Sequence, residues 1–250
     1  MDEFVVTDSG YRLAAAAKHA TATYELGTLY LEGHGVPRND SKAASLIKEA
    51  AILGYSQAQS TLGMLYEAGE CGLNENQAES LEWFIKAAQQ GNPLAQLKVG
   101  RAYISGELLS LNAEKGIEYL TKAATQDDID AISLLGNYYE GASDKVIENP
   151  EFAFQWHLKG ARTGNARCEC KVGYCYLRGV GIEKNQKEAA TWFERAADKG
   201  YADAEFALGM MFLTGVNSER DIDKAKAWFT KAVAQSHSQA IEALRRIAEA

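Results

Sequence analysis

Ala58-Gln-Ser-Thr-Leu62-Gly63-Met-Leu-Tyr66-Glu-Ala-Gly69 returns far along the chain as Ala204-Glu-Phe-Ala-Leu208-Gly209-Met-Met-Phe212-Leu-Thr-Gly215. Ala58, Leu62 and Tyr66 stand at i, i+4 and i+8, the apolar stripe of an amphipathic helix. Gly63 beside that stripe lets another backbone come close, and Gly69 or Gly215 ends the helix. The central glycine recurs as Gly27, Gly63, Gly100, Gly136, Gly173 and Gly209, with gaps of 36, 37, 36, 37 and 36 residues. A period so regular predicts an array of stacked units, each burying its apolar face on its neighbours and leaving long surfaces free to bind.

A second segment repeats in step with the first, as Asn76-Gln-Ala-Glu-Ser-Leu-Glu-Trp83-Phe-Ile-Lys-Ala87-Ala88 and Asn185-Gln-Lys-Glu-Ala-Ala-Thr-Trp192-Phe-Glu-Arg-Ala196-Ala197. It predicts a second helix per unit. Asn39, Asn76, Asn112, Asn149, Asn185 and Asp221 stand where an N-cap belongs, and Gly54, Gly91, Gly164 and Gly200 where a helix stops. The large residue seven places after each cap, Leu46, Trp83, Tyr119, Trp156, Trp192 or Trp228, is expected in the core and not in a ligand cage. Tyr30, Tyr66, Tyr103, Tyr139 and Tyr176 are expected there too.

The pattern A-x-x-x-L-G-x-x-Y-x-x-G, a Gly-Val loop, then N/D-x-x-x-A-x-x-W-x-x-K-A-A-x-x-G closely resembles the Sel-1-like repeat family, relatives of tetratricopeptide repeats. The likeness covers about residues 20 to 236, and its strength lies in six units agreeing at several positions at once. Gly33-His-Gly35-Val36 and Gly179-Val-Gly181-Ile182 carry the loop signature; the third and fourth units depart from it after Gly106 and Gly141, so differently shaped loops are expected. The resemblance implies an all-α, right-handed α/α solenoid of six two-helix repeats, beginning near residues 20, 56, 93, 129, 166 and 202. A single array is expected across residues 1–250, closed by capping helices at about 11–19 and 239–249. In the last cap Arg245 stands where the repeats have glycine, tolerable if no further helix approaches.

The composition narrows the class of partner. A net charge of −8 repels phosphate backbones, so nucleic acid is not expected. The acidic start, Met1-Asp-Glu-Phe, lacks a secretory signal and no segment is apolar enough to span a bilayer, which predicts a cytoplasmic protein without membrane insertion, with delivery by a dedicated secretion system as the alternative. Secreted relatives carry cysteine pairs that staple each second helix to the next first helix. Here the corresponding residues between units four and five are Ala161 and Glu169, in keeping with a reducing compartment.

Members of the family are chiefly adaptors, and the resemblance implies protein or peptide binding on the concave face of the first helices. Opposite the apolar stripe lie the positions six and two before each central glycine and one and five after it. In the fifth unit these are Arg167, Lys171, Tyr174 and Arg178, a basic stripe around one aromatic ring. Lys98 and Arg101 extend the set in the third unit, and Met64 and Met210 offer apolar contacts. Glu25 and Glu32 stand on the same face of the first unit, so the face is expected to run from acidic to basic. A solvated helix face also carries charges, and that simpler reading stands beside the partner-binding one.

Chemistry is not expected. Cys168, Cys170 and Cys175 cannot share one metal, because Cys168 and Cys175 lie about 10 Å apart along a helix rising ~1.5 Å per residue and Cys170 points elsewhere. Cys168 is expected as core filler and Cys71 as an exposed loop thiol. Ser45-Leu-Ile-Lys48 matches a penicillin-interacting tetrad by letter, but no Lys-Thr-Gly follows. His19, His34, His157 and His237 lack metal-binding spacing. The expectation is a non-catalytic adaptor without cofactor or metal, a monomer or weak homo-oligomer. The alternatives are a cell-wall or lactam-directed hydrolase, as suggested for some relatives, and a self-assembling structural protein.

Overall fold

The computed structural model describes residues 11, 19–141 and 149–249, and the expected first capping helix falls, apart from Tyr11 and His19, outside them. So does most of the fourth unit's loop, at 142–148. The described residues hold thirteen helices and no strand. They cluster in two compact units, divided between Asp128 and Ile129.

The first unit contains α1 (Ala20–Glu32), α2 (Asp40–Ile52), α3 (Ser56–Ala68), α4 (Gln77–Gln89), α5 (Pro93–Ser105) and α6 (Ala113–Thr125). The second contains α7 (Ile129–Tyr139), α8 (Pro150–Arg162), α9 (Ala166–Arg178), α10 (Gln186–Ala197), α11 (Ala202–Thr214), α12 (Ile222–Ala234) and α13 (Ser238–Ala248). Odd-numbered helices carry the central glycine or, in α13, Arg245; even-numbered ones carry the Trp position.

The helix starts are fixed by side chains read from the sequence. Asn39, Asn76, Asn112, Asn149, Asn185 and Asp221 each accept a hydrogen bond from a backbone N–H in the first turn of the even helix that follows. Each satisfies a donor that the helix itself leaves unpaired. After α2, α4, α8 and α10 the turn to the next helix passes through Gly54, Gly91, Gly164 and Gly200 at positive φ. After α6 and α12 the same turn falls on Asp127 and Ser236, with φ of 63° and 61°. A side chain there is strained, so Ser236→Gly is expected to raise stability by up to ~1 kcal/mol in a denaturant titration. A loss would show that the serine has a compensating contact.

The core is one helix face further round than the Trp position. Leu46, Tyr119, Trp156, Trp192 and Trp228 are only half-buried, and Trp83 alone of the six is buried. The enclosed residue is the next one: Ile47, Phe84, Leu120, His157, Phe193 and Phe229 are each at most 2% exposed. They pack against the central glycines. A Cβ on Gly173 would sit 2.7 Å from the Phe193 ring, which is why that position carries none. The rings at this position also serve as platforms for cations three residues on: Lys86 lies 3.9 Å from the centroid of the buried Trp83, and among the half-buried rings Arg195 lies 4.3 Å from Trp192 and Lys231 3.8 Å from Trp228. The recurrent Trp-x-x-Lys spelling thus covers the ring's outer face; the core expectation holds at Trp83 and is corrected by one residue in the other five units.

Candidate functional site

Arg167, Lys171, Tyr174 and Arg178 project from α9 into one groove of about 530 Å³, bordered on the α11 side by Asp203 and Phe206. The Tyr174 ring stands edge-on to Phe193 at 4.9 Å, and the Arg178 guanidinium lies 5.2 Å from its centroid. A core ring therefore fixes the tyrosine, and the tyrosine positions the arginine. Burial pushes the Tyr174 phenol up to about 12, so it stays neutral and supplies area and a polar tip.

The groove continues past α11 towards α13. A recess of about 300 Å³ joins Tyr174 and Arg178 to Phe206, Met210 and Gln239. Beyond it a wider hollow of about 820 Å³ is floored by Phe206, Met210, Leu213 and Ile247, with Arg220 and Lys226 on its rim. Phe206 is the residue the sequence reading missed. It stands three before Gly209, one position off the stripe used for the expected face; the same offset in α9 gives Cys170, which also lines the groove.

Several groove charges are already engaged. Glu140, directly after α7, takes the Lys171 ammonium at 2.8 Å and His157 Nε2 at 3.0 Å. Nε2 donates to the carboxylate, while Nδ1, against Gly136, has no hydrogen-bond partner. Burial would raise the Glu140 carboxyl, but the hydrogen bonds from His157 and Lys171 outweigh it and hold it at about 2. A depressed carboxyl stabilises the fold above its ordinary 4.5 and loses that contribution as pH falls towards 2. Denaturant titrations of wild type and Glu140→Gln should therefore differ near neutral pH and converge on acidification through that window. A constant gap would remove Glu140 from the acid sensitivity.

Asp203 is engaged in a similar way. His237 Nδ1 accepts from the Ala240 amide as the N-cap of α13, which leaves Nε2 to donate to Asp203 at 3.1 Å. The imidazole also stacks on Phe206 at 4.9 Å. His157, His237 and His19, the N-cap of α1, thus have structural work, and His34 pairs with Glu32 on the surface.

Lys98, Arg101 and Met64 belong to the first unit. The Lys98 ammonium meets both Glu67 carboxylate oxygens at 2.8 and 2.7 Å, the same bridge across 31 residues that joins Glu140 to Lys171. Arg101 and Met64 are exposed.

All four cysteines are free. Cys168 and Cys175 pack with Phe154 and Ala161 of α8, whereas Cys170 packs with Phe193 and Ala196 of α10. The cluster of letters is split between two core layers, and burial pushes the three thiols up to about 11, 12 and 11 in chain order. Cys168 is core filler, as expected. Cys71 is half-buried beside the first-unit core, and burial raises its thiol; it is not the freely exposed group expected from its loop position. Ser45 and Lys48 both face solvent on α2.

Helix pairs repeated within each unit, each closed by a glycine against a large core residue, with a groove across α9, α11 and α13 of the second unit, define an α/α repeat protein. The Sel1 repeat profile matches residues 20–55, 56–92, 93–128, 129–165, 166–201 and 202–237, and the chain belongs to the Sel1 repeat family. Among curated relatives, chitin synthase regulatory factor 3 of Schizosaccharomyces pombe is 30% identical over 57% of this chain and 16% of its own length. Chitin synthase regulator SKT5 of Saccharomyces cerevisiae is 26% identical over 72% of this chain and 32% of its own. The chain thus spans a third or less of either protein. Among solved structures, c5321, a protective antigen of uropathogenic Escherichia coli, superposes with a TM-score of 0.85 at 31% identity, over 93% of this chain and 49% of that one. A Sel1 repeat protein from Oxalobacter formigenes gives 0.74 at 27% identity, over 90% of each. Among the described residues no helix is long and apolar enough to cross a membrane.

Proposed function

We propose that the chain is a non-catalytic adaptor that holds a segment of a partner protein in the groove across α9, α11 and α13. Arg167 and Arg178 are its charged contacts, Tyr174 and Met210 supply area, and Lys171 shapes the wall through Glu140. Arg101 and Met64 add a smaller contact face on the first unit, where Lys98 is held by Glu67. The observation that carries this reading is Arg178 set over the fixed Tyr174 ring at the mouth of a groove with an apolar floor. Cations and aromatic rings beside an apolar floor are what protein interfaces use. The family match supports the same role, as do two relatives whose names are those of regulators. The four unpaired thiols support a reducing, cytoplasmic setting.

The test compares what co-purifies from native lysate with the tagged protein and with an Arg167→Glu/Arg178→Glu variant. Lys171 is left in place, because reversing it would set two carboxylates together at Glu140 and perturb the fold. Loss of a specific partner is the expected result. Retention of the same partner would place the binding surface elsewhere.

A further inference from the structure

The charges lining the groove do not balance, and the imbalance has a pattern. Of the three acids among its described lining residues, Glu140 is balanced by Lys171 and Glu242 by Arg245 and Arg246, while Asp203 keeps its charge and accepts a hydrogen bond from the neutral His237 ring, which leaves cations in excess. Lys171 and Arg246 are spent in those pairs. Among the described residues Arg167, Arg178, Arg220 and Lys226 make no ion pair, and all four are exposed. Two of them stand at the α9 end and two at the α12 rim.

Between these pairs the floor is apolar, made by Phe206, Met210, Leu213 and Ile247. Net positive ends around an apolar middle stand out in a chain whose own net charge is −8, where an average surface would be acidic. A ligand matched to that surface has negative charge at both ends and a large apolar side chain in between. Guanidinium groups favour carboxylates through paired hydrogen bonds, and opposite charges set register and speed encounter. A polyphosphate backbone supplies the charge but no apolar centre for the floor.

Resting on the adaptor reading of this groove, we infer that its occupant is an extended protein segment with acidic residues flanking an apolar core, seated across α9, α11 and α13. Arg167 and Arg178 take one acidic end and Arg220 and Lys226 the other. Met210 and Phe206 take the apolar side chains.

The probe is a fluorescein-labelled peptide of about ten residues, which in extended form advances ~3.3 Å per residue. It carries paired glutamates at both ends and a Leu-x-x-Phe centre. Three controls replace the glutamates by lysines, replace the centre by serines, or substitute a single-stranded oligothymidylate. Fluorescence anisotropy with the full chain should show the acidic–apolar peptide binding about tenfold or more tighter than every control, with affinity falling as salt rises. Arg178→Glu and Arg220→Glu should each weaken it about tenfold while circular dichroism melts stay at the wild-type midpoint.

Equal binding of the lysine-ended peptide or of the oligonucleotide would overturn the inference. So would binding that ignores the serine centre. If the acidic peptide shows no preference while a native partner is still lost on Arg167→Glu/Arg178→Glu, the partner chemistry is wrong and the groove reading stands. If neither peptide nor native partner responds to groove variants, both fall.

Discussion

Gly136→Leu is expected to destabilise the second unit by about 3 kcal/mol or more, whereas Arg178→Glu should leave its stability nearly unchanged. A Cβ at Gly136 would fall on the imidazole of His157, which is fully buried and held through Nε2 by Glu140. The ring has nowhere to swing, because leaving its site would strip Glu140 of a donor and open the core position that Phe193 and Phe229 fill in later repeats. Overpacking a site whose neighbour cannot yield costs at the upper end of the usual range. Arg178, by contrast, is exposed, with its guanidinium over the face of Tyr174. Thermal or denaturant melts of the two variants check both statements. Equal midpoints would overturn the assignment of a core face and a groove face to the odd-numbered helices.

The second large effect concerns a carboxylate with no exposure at all. Glu169 on α9 receives the Lys199 ammonium at 2.6 Å, and the Arg195 guanidinium lies 3.1 Å from its other oxygen, within ion-pair reach but not aligned to donate. Lys199 also donates to the Gly164 carbonyl at 2.8 Å. Lys199→Met takes away the ammonium that donates to this buried carboxylate and leaves only the unaligned Arg195 beside it, so it is expected to cost about 3 kcal/mol. The remedy is written in the third repeat, where Gln126 donates at 2.9 Å to the Gly91 carbonyl and at 2.9 Å to Gln96. Gln90 meets Gln59 in the same way in the second repeat. Transplanting that neutral lock as Glu169→Gln/Lys199→Gln should bring stability back to within about 1 kcal/mol of wild type. A harmless Lys199→Met, or a double variant as weak as the single one, would show that Glu169 is stabilised by something other than this pair.

The helices, their caps and their order were legible in the sequence because each is decided locally. An Asn seven residues ahead of a Trp caps its own helix, and an Ala-Leu-Tyr stripe at fourfold spacing declares its own buried face. Repetition then made a weak signal strong: Asn39, Asn76, Asn112, Asn149, Asn185 and Asp221 each cap as read. The one-residue error at the Trp position had a correctable source. A ring beside Gly173 must fill the space the glycine leaves, and the large residue facing it is Phe193; the preceding Trp192 lies at the core edge beneath Arg195.

What the sequence by itself determined is therefore the repeat, the helix pairs and the glycine-closed core, all set by neighbours within a few turns. Which of the described cations are left without an ion pair was decided only in the tertiary structure. Lys98 and Lys171 read the same as Arg167 and Arg178 along a helix face, but each meets a carboxylate 31 residues earlier in the chain. Phe206 and Arg220 join the groove because α11, α12 and α13 close around it. Those contacts depend on how one repeat is laid against the next, and helical periodicity inside a single repeat carries no information about that packing.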